Sequence, residues 1–177
     1  MKLLSLFSLV MLFQMITCAQ STDELPVVPK VDLNRYLGKW YEIATIPMRF
    51  QLGCNCVTAE YSLKENGRVK VVNSCRKDSP AGLFKSVTGQ AKVVKGSNNA
   101  KLKVSFFWPF WGNYWIIQLD QENYQWAVVS DPSRKTLWIL SRVPQMDEEL
   151  YGKLVDYCQS AGLNTDLLVK TDQSCYY

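Results

Sequence analysis

From about residue 40 the chain alternates apolar and polar positions with a period of two, the repeat of a strand buried on one face. "WYEIATI" (40–46) is a first such segment and "VTAEYSL" (57–63) a second. "KENGR" (64–68) contains Asn66-Gly67, the strongest short hairpin signal, and "VKVVNSC" (69–75) returns as a third strand. "KSVTGQAKVV" (85–94) is a fourth, closed by the turn "KGSNNA" (95–100). "KLKVSFF" (101–107) alternates Lys with Leu and Val, which directs Leu102, Val104 and Phe106 inward. "NYWIIQLD" (113–120), "YQWAVVS" (124–130) and "KTLWILSR" (135–142) complete eight strands joined by short polar or Gly/Pro loops.

The period then changes. In "QMDEELYGKLVDYCQSAGL" (145–163), Leu150, Leu154, Tyr157, Cys158 and Ala161 recur at helical spacing. Asp147 and Glu148 favour the positive end of that helix, and Gly162 is a suitable stop. A short last strand, "DLLVKT" (166–171), precedes the tail. Eight consecutive strands and one trailing helix predict an all-β fold: an eight-stranded antiparallel up-and-down β-barrel with one C-terminal α-helix packed outside. Such a barrel has no exposed edges, and eight strands can enclose one small ligand.

The first residues do not fit the pattern. Lys2 is followed by "LLSLFSLVMLF", an apolar run too short for a membrane span and suited to the core of a signal peptide. Residues 1–19 are therefore expected to be a leader, 20–30 a polar lead-in with two prolines, and 31–177 the barrel domain. Thr17-Cys18-Ala19 before Gln20 offers a signal-peptidase site, which means secretion or periplasmic release. The alternative is that "MITC" is a degenerate lipoprotein box, with Cys18 acylated and the protein anchored at the outer membrane. Both routes lead out of the cytoplasm, where disulfides persist.

Composition narrows the chemistry. The 177 residues suit one domain; 47% are apolar and 20% charged, enough for a core. The net charge of +4 is spread without a basic run, which argues against nucleic acid as a partner. There is no histidine, so the commonest general base and zinc ligand are missing. Glu148-Glu149 lie on a solvated helical turn, and no glycine-rich phosphate loop occurs. No catalytic residue, cofactor or metal site is expected.

Three motifs, in order on this strand pattern, resemble the lipocalin family, closest in form to its bacterial lipocalin and apolipoprotein D group. They are Gly38-Lys39-Trp40, Leu119-Asp120-Gln121 (only the aspartate of the usual Thr-Asp-Tyr is kept) and Arg142 in "WILSRVP". "RYLGKWYEIA", "VTAEYSL", "LKVSFF" and "LWILSR" carry the resemblance from about Val31 to the C-terminus. It implies that Trp40 closes the bottom of the barrel with Arg142 across its ring, a cation–π contact of about 0.5–2 kcal/mol. Gly38 and Asp120 would complete this structural closure, Asp120 by helping to hold the entry of the first strand. The loops 47–53, 76–84, 108–112 and 131–135 would then ring the open end.

The resemblance also places Tyr61, Asn73 and Trp138 in the lumen, and alternation adds Phe106. Aromatic walls with a few polar groups suit an elongated or flat apolar ligand. The same rings could equally fill a small barrel. "FFWPFWGNYW" concentrates aromatics in a loop, where Trp108, Phe110 and Trp111 either touch a membrane or pack on the rim.

Beyond Cys18, five cysteines remain. Similarity to apolipoprotein D around "CVTAEYSL" and "TDQSC" suggests Cys56–Cys175. Cys54 and Cys75 lie near the ends of one hairpin, which suggests Cys54–Cys75; the alternative exchanges Cys54 and Cys56. Cys158 then reads as a buried free thiol.

The function these features imply is extracytoplasmic binding, transport or scavenging of small hydrophobic ligands, with fatty acids or lysophospholipids leading by resemblance and steroids, retinoids or tetrapyrroles next. The alternative is a ligand-independent module that meets a membrane or protein through loop 108–112. An enzyme acting on a lipid held in the barrel ranks last. A monomer and a dimer both fit.

Overall fold

The computed structural model describes residues 24–177; the expected leader, with Cys18, and the start of the lead-in lie outside the described residues. In chain order the elements are α1 (Leu33–Tyr36), β1 (Gly38–Thr45), β2 (Cys54–Leu63), β3 (Val69–Lys77), β4 (Phe84–Val93), β5 (Lys101–Ser105) and β6 (Gly112–Leu119). There follow β7 (Trp126–Ser130), β8 (Leu137–Ser141), α2 (Glu148–Ser160) and β9 (Val169–Lys170). Strands β1 to β8 pair antiparallel in sequence order, and β1 pairs with both β8 and β2, which closes the barrel.

The hairpin between β2 and β3 forms where Asn66-Gly67 place it, with Gly67 at φ 75° and its N–H bonded to the Lys64 carbonyl at 2.9 Å. β2 starts three residues earlier than the alternation predicts. A bulge between Asn55 and Thr58, with Cys56 at φ 55°, breaks the period there while the ladder to Lys77 and Arg76 continues.

The two sides of the barrel read differently. On β2 to β4 the outward positions Glu60, Ser62, Lys70 and Thr88 are polar or charged, and the inward Tyr61, Val69, Val71 and Ala91 are apolar and buried. This is the reverse of a membrane-spanning barrel, which carries its apolar band outside. β6 to β8 are apolar on both faces. Ile116, Val129 and Leu140 join the inner core, while Trp115, Ile117, Val128, Leu137 and Ile139 form a second core beneath Leu154 and Cys158 of α2. Burying a side chain such as Leu154 contributes about 1.5–3 kcal/mol. α2 begins where Asp147 accepts a hydrogen bond from the Leu150 N–H at 2.9 Å.

The lead-in is a packed strap in its described part. Leu25 and Val28 are buried, and the Val28 N–H donates to the Ile116 carbonyl. At the other terminus β9 pairs with Ala44 and Thr45, where β1 has left β2. The Gln173 amide spans that seam, donating to the carbonyls of Glu42 (2.7 Å) and Val57 (2.9 Å). Disulfides join Cys56 to Cys175 and Cys54 to Cys75. Each closes a loop and adds roughly 2–4 kcal/mol.

Candidate functional site

The lower end of the barrel is filled. α1, capped by Asp32, brings Tyr36 beneath the strands, and Trp40 is fully buried with its indole N–H donating to the Tyr36 carbonyl at 2.8 Å. The Arg142 guanidinium lies 3.8 Å from the Trp40 ring centroid. It donates to the carbonyls of Tyr124 (3.2 Å), Lys39 (2.8 Å) and Arg35 (2.6 Å), tying β1, α1 and the β6–β7 turn together. Gly38, at φ 89°, passes 3.5 Å from the same guanidinium, measured from where a Cβ would stand. Asp120 acts one step away. Its carboxylate accepts the N–H groups of Glu122, Asn123 and Gln125, and the turn so folded presents the Tyr124 hydroxyl to the Asp32 N–H and the Glu122 carbonyl to Arg35.

Above the tryptophan three tyrosine hydroxyls meet: Tyr114 is 2.8 Å from Tyr36 and 3.0 Å from Tyr61. Burial pushes the Tyr61 phenol up to about 12 and lifts those of Tyr36 and Tyr114 well above the ordinary tyrosine range, so the cluster is neutral. Tyr61 therefore belongs to the floor. A hollow beside it measures about 10 Å³ and is lined by Leu33, Val69, Leu102 and the tyrosines among others; it has room for about one water.

Toward the other end the β4 side is accessible to solvent: Val87 faces inward opposite Asn73 and is 39% exposed. Asn73 sits one inward level above Tyr61, opposite Ala59 on β2 and Val87 on β4. Its Oδ1 is shut off from solvent and has no hydrogen-bond partner among the described residues. An unmet buried polar group of this kind costs about 1–3 kcal/mol. Phe106 is half-buried and lies over Gly89, where an added Cβ would stand 2.7 Å from the ring. Trp138, opposite Thr45 near the top of β1 and packed on the inner core, forms the far wall. Asn73 thus faces inward on β3, and Phe106 and Trp138 pack against the inner core.

The wall is incomplete at that level. β5 pairs with β4 only from Gln90 to Val93, and residues 84–88 of β4 are exposed on both faces. A slit opens between this free stretch and the loop after β5. In that loop Phe107, Trp108 and Phe110 are exposed, while Trp111 is half-buried under the Lys92 ammonium, 4.5 Å from its ring.

Other reactive groups are committed elsewhere. Cys158 is buried on the inner face of α2 against the outer core, and burial pushes its thiol up to about 12. Glu42 is buried too; Gln51 and Thr171 donate to its carboxylate, yet desolvation raises its pKa. A larger concavity of about 350 Å³ lies outside the barrel between α2 and the tail, but its Lys170 is paired with Glu148 and covers Tyr151.

The sequence reading missed Tyr36 and Tyr114. Tyr114 was visible as an inward position, two before Ile116. Tyr36 carried no signal, because a four-residue helix is shorter than any periodicity test.

A family model for a Lipocalin-like domain matches residues 31–173. The outer membrane lipoprotein Blc of Vibrio cholerae is 38% identical over 156 residues, covering 88% of this chain and 91% of the relative. Apolipoprotein D of Mus musculus is 39% identical over 160 residues, covering 84% and 80%. Among solved structures, insecticyanin from the tobacco hornworm Manduca sexta superposes with a TM-score of 0.68 at 20% identity, over 88% of this chain and 89% of that one, a likeness of fold.

Proposed function

The chain belongs to the lipocalin-like family, and on that premise we propose that it binds, carries or scavenges small hydrophobic ligands in the upper half of its barrel, outside the cytoplasm. The observation that carries the reading is Asn73 Oδ1, buried without a hydrogen-bond partner among the described residues and opposite Val87, which faces inward and is still exposed. A guest with an apolar body and a hydrogen-bond donor meets both needs, because Asn73 Oδ1 is an acceptor. The glycerol hydroxyl of a lysophospholipid and the carboxylic acid form of a fatty acid supply that donor.

The driving force is apolar area leaving water, about 25 cal/mol per Å². Phe106 and Trp138 supply the walls and Asn73 the polar contact; Tyr61 meets only the inner end of a guest. Binding is reversible and no bond is made or broken. The two disulfides suit an extracytoplasmic site. Residues 1–19 act as the leader of a freely released protein; in the anchored alternative the leader ends before Cys18, which carries the acyl chain. The exposed rings of Trp108 and Phe110 give the carrier a membrane-facing side, and one chain suffices for the site.

Titration with a fatty acid tests this. Tryptophan fluorescence should change and saturate at one ligand per chain. Trp138→Ala and Asn73→Leu should weaken binding while far-ultraviolet dichroism stays unchanged. A response that never saturates, or one equal in parent and both variants, refutes the site.

A further inference from the structure

Loops at the open end carry more exposed apolar surface than a soluble rim needs. Phe50 and Leu52 in the β1–β2 loop, Leu83 and Phe84 at the start of β4, and Phe107, Trp108 and Phe110 after β5 are each more than half exposed. Strand alternation puts these three loops on one end of the barrel, because β1, β3 and β5 all run toward it. Charge accompanies them. Arg49, Arg76, Lys77 and Lys85 stand among these loops against one carboxylate, Asp78. None of the four cations is ion-paired with a carboxylate among the described residues. Arg76 and Lys77 donate to the Gly82 and Leu52 carbonyls, which holds their charge at the rim. Apolar rings among cations that lack a carboxylate partner complement a surface that is oily beneath and anionic on top.

We propose that this rim docks on the surface of a bilayer containing anionic lipid, with the 107–110 loop in the headgroup layer and the slit beside β4 facing the membrane. The proposal rests on the carrier reading and deepens it by naming the partner of the open end. A hydrophobic guest then passes between bilayer and lumen along Phe106 and Val87 without crossing water; Val87 lines that slit, facing inward opposite Asn73 and still exposed. The contact is peripheral. No helix among the described residues is long and apolar enough to span a membrane, and the outer faces of β2 to β4 are polar.

Vesicle flotation tests it, with Cys18→Ser in every sample so that no acyl chain contributes. The parent should float with vesicles of equal parts phosphatidylcholine and phosphatidylglycerol, less with pure phosphatidylcholine, and less again at high salt. Trp108→Ser with Phe110→Ser should lower the partition coefficient on the order of tenfold per ring. Arg49→Gln with Lys85→Gln should lower it about fivefold per cation on the anionic vesicles only. Fatty-acid binding in solution should survive in both double variants. Equal flotation of parent and ring variant overturns the proposal, as does indifference to anionic lipid. So does a soluble dimer that the ring variant abolishes while flotation is absent, because the rim then meets a second copy. Saturable fatty-acid binding without flotation defeats the docking and leaves the carrier; flotation without fatty-acid binding does the reverse.

Discussion

Arg142 lies over Trp40, 3.8 Å from the ring centroid, and donates to three backbone carbonyls from three different elements. One side chain thus fixes the floor of the barrel to α1, β1 and the β6–β7 turn. Arg142→Ala should cost about 2–4 kcal/mol, from the lost cation–π contact and the carbonyls left to water. Arg142→Lys keeps the charge but not the planar fork, and should fall between. Urea unfolding measures all three proteins; an alanine variant as stable as the parent contradicts this role.

Gly89 and Phe106 form a second close relationship. A Cβ at position 89 would stand 2.6 Å from the Ser105 carbonyl oxygen and 2.7 Å from the Phe106 ring. The carbonyl belongs to the β5 backbone and cannot rotate away. Gly89→Ala should therefore destabilise the protein by about 1–3 kcal/mol and, by displacing Phe106, weaken fatty-acid binding. Unfolding and fluorescence titration on the same sample check both effects.

Glu42 gives stability a pH signature. Desolvation raises its folded pKa above the ordinary 4.5, against the opposing hydrogen bonds from Thr171 and Gln51. The fold then holds the proton more tightly than the unfolded chain does. Its contribution is greatest below the unfolded pKa, declines as pH rises toward the folded pKa, and levels off above it. Glu42→Gln removes that slope. Between about pH 4 and about pH 7, the variant should gain stability relative to the parent as pH rises. A difference that does not change with pH refutes the assignment.

Cys158 should be chemically silent. Its thiol is buried on α2 against the outer core and pushed up to about 12, so almost no thiolate exists at neutral pH. An aromatic disulfide reagent should leave it unmodified in the native protein and react once denaturant is added. Reaction in the native state would place Cys158 at the surface, where it could join two chains.

The inner face of the barrel was legible because its period of two survives wherever the outer face is polar, as in β2 to β5. It blurred in "YWIIQL" and "WAVVS", where α2 covers the outside and both faces become apolar. Trp40 and Arg142 could be read from motif order. The tyrosine cluster could not, since the Tyr36–Tyr114 contact joins residues 78 apart through a turn too short to predict. Neither could the orphaned Asn73 oxygen, which depends on what every neighbouring side chain does. The aromatic loop was visible, but not its division into exposed Phe107, Trp108 and Phe110 and covered Trp111: the Lys92 that shields Trp111 lies on a neighbouring strand.

Native mass spectrometry of the protein purified from its own source tests the central claim most directly. The expected spectrum contains the polypeptide with one hydrophobic molecule of lipid-like mass, exchangeable for an added fatty acid and markedly depleted in Trp138→Ala. A spectrum of bare polypeptide that stays bare when fatty acid is supplied contradicts a carrier.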